Sequence, residues 1–443
     1  MRGAAKLWRT FGVLSVALLV ACQGAGTSSP GATGSATASA GGGGSATASA
    51  GGETKTIVIG FTVSRTGNTN VESVRQEHGL QLWMDDVNDG GGIKLSDGTT
   101  AMLSSKSYDD ESKKDRVQEL YTKLINDDKS DFLISPYSSG LADAAAVIAE
   151  QNGKIMVTAG AASDSTYQKG FTHVYQAYTP ASHYLTGSVD LLKELDSSAK
   201  KIAIAHENDK FSTDVANALN AYATQQGYTI VVNEGYETGT TDFAPFINKI
   251  SAAAPDAIMG GGHFADGSTF AKQLFEKGAK AKMISLLVAP PEPSFADIGD
   301  GAQGVIGPSQ WEPTVKFSQD TAKSDGLTWL GPSVDDFVKH YKSKFNEDPS
   351  YHSAGGYAAG LILQAGIQAA NALDPDKIRQ ALDGLEMESF FGRTKFDTSS
   401  GNHGLQTAHE MVYIQWQGTS GSLAKQVVWP EAARTGQPVY PLR

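Results

Sequence analysis

From Lys55 onward, short runs rich in β-branched residues alternate with stretches whose apolar positions recur every three or four residues. Thr56–Phe61, Asp131–Ile134, Ile155–Thr158, Lys201–Ala205, Thr229–Val232, Asp256–Met259 and Met283–Val288 have few polar interruptions, the pattern of parallel strands buried on both faces. The intervening stretches read as helices. In the first, Leu80, Trp83, Met84 and Val87 fall on one face, and Gly90, Gly91 and Gly92 stop it. Strand–helix alternation predicts an α/β fold of doubly wound parallel sheets. The pattern runs twice, over 55–178 and 179–307, followed by helices at Asp335–Phe345, Ala354–Ala370 and Pro375–Leu385 and a late strand at Glu410–Trp416. We assign 55–178 and 308–385 to a first lobe, and 179–307 and 386–443 to a second. A chain that passes between lobes more than once makes a multi-strand hinge. Ligands then bind in the cleft at the carboxyl ends of the strands.

The first 54 residues follow a different pattern. Arg2, Lys6 and Arg9 form a basic head, and Phe11–Val20 is an apolar stretch ending at Ala21-Cys22, the shape of a secretory signal. Leu19-Val20-Ala21-Cys22 resembles a bacterial lipobox, with Cys22, the chain's one cysteine, as the lipidated residue. Residues 1–22 thus read as a lipoprotein signal peptide and 23–54 as a flexible tether, dominated by Gly, Ala, Ser and Thr and carrying a near-repeat of GSATASAGG.

Charge narrows the partners. The whole chain carries a formal −12; without the three basic residues of the leader, 33 basic face 48 acidic residues. That balance argues against nucleic acid, whose phosphates require clustered Lys and Arg. One cysteine excludes both an intramolecular disulfide and a cysteine metal cage. Enzyme motifs are missing too: no phosphate-binding G-x-x-x-x-G-K-[ST], no G-x-S-x-G, and His409-Glu410 is followed by Tyr413 where H-E-x-x-H requires a second histidine. We read the chain as a non-enzyme with no cofactor and no metal.

Several motifs in order carry a resemblance: Ile57–Gly60 with Ser64-Arg65-Thr66-Gly67; NDGGGI at 88–93; YDDES at 108–112; SPYSSG at 135–140; GAAS at 160–163; YETGTTDF at 236–243; Gly299–Gly304; and Gly355-Gly356-Tyr357. Over about 55–420 the chain resembles the extracytoplasmic solute-binding proteins of ABC importers, specifically the leucine/isoleucine/valine-binding family. The resemblance implies the type I periplasmic binding protein fold and a monomer that captures a branched-chain amino acid or related small carboxylate for a permease. The alternatives are the ligand-binding subunit of a sensor, or a carrier of an aromatic or aliphatic acid lacking an amine.

Candidate ligand contacts follow. SPYSSG ends a strand and opens a helix, where free backbone N–H groups beside hydroxyls suit a carboxylate, although a serine there can equally cap the helix. The family uses this turn for the ligand carboxylate, which points to Tyr137, Ser138 and Ser139. Small residues in Thr158–Ser163 allow close approach to backbone, and the resemblance selects Ala161, Ala162 and Ser163. Ser64 and Thr66 follow the first strand, in a loop that faces the cleft in relatives. In the second lobe Phe211, His263 and Phe264 stand where the family places aromatics; His263, alone after three glycines, is no metal site by itself. Amino-acid-binding relatives carry an acid after the strand Met283–Val288; here Leu287 takes that place, and Glu292 or Asp266 would have to reach the ligand ammonium. If neither does, the ligand has no amine.

Overall fold

The structure, a computed structural model, describes residues 52–419 and 421–442. Cys22, the basic head, the apolar stretch and the tether to residue 51 lie outside the described residues.

The strand Thr54–Val63 lies inside a six-stranded sheet ordered Ile93–Lys94, Thr100–Asp109, Thr54–Val63, Phe132–Ile134, Met156–Thr158, Val174–Gln176. Its pairings are parallel except at the short edge strand Ile93–Lys94. Ile57, Ile59, Phe61 and Val63 are all buried, as a strand covered on both faces requires. A seven-stranded sheet follows, ordered Ala424–Trp429, Val412–Gln417, Ile306–Ser309, Met283–Leu286, Ala257–Gly261, Lys201–Glu207, Thr229–Tyr236. Its first five strands in chain order are parallel, and the last two close its edge antiparallel. All seven runs expected to be strands are strands.

Thr100–Asp109 was not among them. Ser104, Ser105, Lys106 and Ser107 break its apolar pattern, because a strand next to a two-residue edge keeps much of its surface in solvent. The segment 375–385 is helical only to Asp383; Glu386–Ser389 turns into a strand of a third, three-stranded sheet with Thr328–Trp329 and Gly392–Lys395.

The chain leaves the first sheet after Gln176, builds the second, and returns to pack Tyr351–Ala370 along Asn70–Asp89 on the first. It then crosses again to supply Val412–Gln417 and Ala424–Trp429. In both sheets the strand order reverses beside the first-formed strand, so chain connections diverge there and leave a crevice at the carboxyl ends. Among the described residues, no helix is long and apolar enough to cross a membrane.

Candidate functional site

The turns after the first sheet's strands form one wall of a cleft. Tyr137, Ser138 and Ser139 follow Phe132–Ile134, while Gly160 and Ala162 follow Met156–Thr158. Ser138 stands at the start of the helix Ser139–Gln151 but does not cap it through its side chain. Ser139 Oγ instead accepts from the backbone N–H of Ala162 at 3.0 Å and of Ser163 at 3.1 Å, tying the two turns together. Gln76 makes a second tie, donating to the Ser135 carbonyl at 2.9 Å and accepting from Gly160 N–H at 2.9 Å. The wall is therefore pre-organised by its own hydrogen bonds. Ser163 Oγ is buried and has no hydrogen-bond partner.

The opposite wall comes from the second sheet. Phe211 and His263 open helices after Lys201–Glu207 and Ala257–Gly261, and Val288 follows Met283–Leu286. With Tyr178, Tyr184, Tyr351 and His352 they enclose the cleft, leaving a cavity of about 10 Å³. That is about the room one water needs. The walls touch: Tyr137 Oη and His263 Nδ1 are 2.8 Å apart, and Phe264 N–H donates to Glu72 Oε1 at 2.8 Å. Phe211 stands edge-on to Tyr184, with ring centres 4.9 Å apart.

Charge concentrates around His263. Its Nε2 lies 3.1 Å from Asp209 Oδ2 and 3.9 Å from Glu207 Oε2, and its Nδ1 lies 3.9 Å from Glu72 Oε1. Burial alone would depress the imidazole, but Asp209, Glu207 and Glu72 outweigh it and push His263 up to about 10. Burial raises Glu72 above the ordinary carboxylate range, against the pull of His263 and His352, and Glu72 Oε2 has no hydrogen-bond partner. His263 is thus not solitary, as the sequence alone suggested, because the parallel pairing of Lys201–Glu207 with Ala257–Gly261 brings Glu207 and Asp209 beside it.

The other candidates fall at varying distances. Ser64 is buried and donates to Asp110 at 2.6 Å, and Thr66 is bound to Asp109; neither lines the cavity. Ala161 sits beside the lining, and its carbonyl accepts from Gln176. Phe264 faces Glu72 through its backbone, while its ring packs in the second lobe's core. Asp266 is spent on the His263 N–H at 2.7 Å and the Tyr236 hydroxyl at 2.5 Å. Glu292 is fully buried between Arg75 Nε at 3.0 Å and His352 Nδ1 at 2.5 Å, both from the first lobe, and serves as an ionic tie between lobes. Sequence reasoning missed Glu72, Gln76, Glu207, Asp209, the three tyrosines and His352. Glu207 and Asp209 carried a usable signal, since they end a parallel strand where such folds bind ligands. Glu72 carried none, because its place depends on how the lobes meet.

Two α/β lobes meeting in a small polar cleft at their strand ends define a hinged solute-binding protein. The sequence matches the periplasmic binding protein family over residues 56–421, and the chain belongs to that family, whose members are extracytoplasmic solute-binding proteins. It is 24% identical over 369 residues to Leu/Ile/Val-binding protein homolog 7 of Brucella suis, covering 80% of this chain and 86% of that one. The fold is similar to the branched-chain amino acid transporter substrate binding protein of Streptococcus pneumoniae in complex with isoleucine. There the TM-score is 0.68 at 22% identity, over 85% of this chain and 100% of that one. It is equally similar to a solute binding protein of an ABC transporter from Rhodopseudomonas palustris in complex with 3,4-dihydroxy benzoic acid. For that pair the TM-score is 0.71 at 18% identity, over 87% and 99% of the two chains.

Proposed function

We propose that this protein is the substrate-binding component of an ABC importer and carries an α-amino acid with an apolar side chain. The observation that carries the reading is the pairing of the start of the helix Ser139–Gln151 at the cleft with the buried Glu72 carboxylate of the helix Asn70–Asp89 beside it, one oxygen of which has no hydrogen-bond partner. The ligand carboxylate would take the first-turn N–H groups of the helix Ser139–Gln151 and the Ser138 hydroxyl. Glu292 and Asp266 are committed elsewhere, so the ammonium would meet a third acid that the sequence did not single out, Glu72, whose Oε2 lacks a partner and whose charged form the ammonium would stabilise. The apolar side chain would lie among Tyr178, Tyr184, Phe211 and Tyr351. A cavity of about 10 Å³ admits no amino acid, so the lobes must part for entry. A ligand that bridges both walls then favours the closed form by its differential affinity for it.

In this reading the lobes are 55–178 with 308–385 and 179–307 with 386–443. Cys22 carries a lipid anchor, residues 23–54 form the tether, and the monomer delivers its cargo to a membrane permease. A second cargo, an aromatic acid without an amine, is favoured by the ring-rich lining and by the dihydroxybenzoate bound to the R. palustris neighbour. Thermal-shift titration separates the two: isoleucine, leucine or valine should stabilise the protein, and stabilisation by benzoates alone would overturn the amino-acid reading.

A further inference from the structure

At the edge of the ligand cavity, which His263 also lines, lies a second set of donors within one lobe, none of them a group assigned above to the amino acid. Glu207 ends a strand, Asp209 precedes the helix Lys210–Gln225, and His263 precedes the helix Phe264–Glu276. One donor atom from each of the three lies within 4.8 Å of the others. We propose that Glu207, Asp209 and His263 bind a divalent transition-metal cation of the zinc class.

Three observations carry this. The separations from His263 Nε2, 3.1 Å to Asp209 and 3.9 Å to Glu207, bracket the edge of a tetrahedron whose ligands sit at about 2.1 Å from the ion, roughly 3.4 Å. Glu207 Oε2 is buried, with the residue 2% exposed, and no hydrogen bond satisfies it. Gly262 makes room for that oxygen, since a Cβ there would stand 2.6 Å from it. The imidazole is 3.9 Å away, beyond hydrogen-bond reach, and an ion between the two would ligate both. Finally, the imidazole has the outer support that metal-bound histidines carry. With Nε2 as the ligand, Nδ1–H donates to the Tyr137 hydroxyl at 2.8 Å, fixing tautomer and ring plane.

The chemistry of the set selects the ion. An imidazole nitrogen beside two carboxylates suits zinc, cobalt or manganese better than calcium or magnesium, which take oxygen ligands. Asp266, whose Oδ2 would stand 2.5 Å from the same added Cβ, and Glu72 add negative charge around the set. A divalent ion offsets that charge more fully than an imidazolium proton can. The helix starts at Lys210 and Phe264 oppose a cation with their partial positive charge, but Asp209 and Asp266 cap those N–H groups. An entry path exists: a cavity of about 260 Å³ is lined in part by Glu207, Asp209, His263 and Lys210. Because Tyr137 belongs to the other lobe, the ion would also bias closure.

The test is cobalt and zinc binding by the purified protein stripped with a chelator. We expect one Co²⁺ per chain, a visible absorption band of nitrogen/oxygen ligation, a paramagnetically shifted imidazole resonance, and displacement by Zn²⁺. His263→Gln should remove the shifted resonance and weaken uptake at least a hundredfold. Glu207→Gln, isosteric and able to fold, should weaken it at least tenfold, and Tyr137→Phe up to tenfold. No uptake by the wild-type protein at micromolar Co²⁺ or Zn²⁺ would overturn the proposal. So would uptake unchanged in both His263→Gln and Glu207→Gln. Leucine binding is measured separately through Glu72→Gln, so failure of the metal site and failure of the amino-acid reading give different results.

Discussion

The two walls of the cleft are built by the same rule from different chemistry. Both are turns at the carboxyl ends of parallel strands, yet the first lobe contributes serines, small residues and backbone donors, while the second contributes Glu207, Asp209 and His263. The first wall is stitched within itself by Ser139 and Gln76 and needs no partner for its shape. The second gathers carboxylates around one imidazole, which they hold protonated. The neutral wall can orient a ligand in the open protein; the charged wall gains most when the lobes close on one.

The largest effect that would break this comparison is expected at the tie between lobes. Glu292→Ala strips the buried His352 of its carboxylate and leaves Arg75 with only Glu347 and the Asp348 carbonyl, and should cost about 3–5 kcal/mol, read as a drop in denaturation midpoint. The same tie sets an acid limit. Burial raises the Glu292 carboxyl, but His352 and Arg75 together hold it below its ordinary 4.5. A carboxylate depressed in the folded state contributes stability that is present at neutral pH and lost as the pH falls through its folded value. Stability attributable to Glu292 should therefore persist to below pH 4.5 and then decline, and Glu292→Gln should flatten that part of the melting-temperature profile.

A smaller effect sharpens the difference between walls. Glu72→Gln should weaken binding of leucine, isoleucine or valine about a hundredfold, roughly 2.7 kcal/mol, while leaving the midpoint without ligand nearly unchanged. Equal affinity in variant and wild type, by calorimetry, would remove Glu72 from ligand recognition. Ser139→Ala deletes the acceptor of two backbone N–H groups and should cost roughly 1–3 kcal/mol of stability, with a parallel loss of affinity as the first wall loosens. The smallest expected effect is a control: Arg116→Ala, which removes an exposed pair with Glu119, should change stability by under about 0.5 kcal/mol and leave binding untouched.

The parallel strands and the turns that follow them were legible in the sequence because their signals are local. Buried parallel strands are apolar runs, and a strand followed by Ser-Pro-Tyr-Ser-Ser-Gly or Ala-Gly-Ala-Ala-Ser announces a turn that opens to a ligand. The strand Thr100–Asp109 was lost because it is half solvated, which makes it read as a polar loop. The charged wall was lost for a different reason. Glu207 and His263 are 56 residues apart and meet only because two strands pair in register, and Glu72 joins them only across the closed cleft. Glu292 illustrates the reverse error: nearness in sequence to the expected acid suggested an ammonium partner, whereas its oxygens hold Arg75 and His352.

The most direct test of a site that holds a ligand's carboxylate and its ammonium separately is a thermal-shift comparison of leucine with 4-methylpentanoic acid, the same molecule without its amine. At a hundred times its dissociation constant a ligand adds about 2.7 kcal/mol of stability. The account predicts that leucine raises the melting temperature by a few degrees and that the amine-free acid does not. An equal or larger shift with 4-methylpentanoic acid would contradict it.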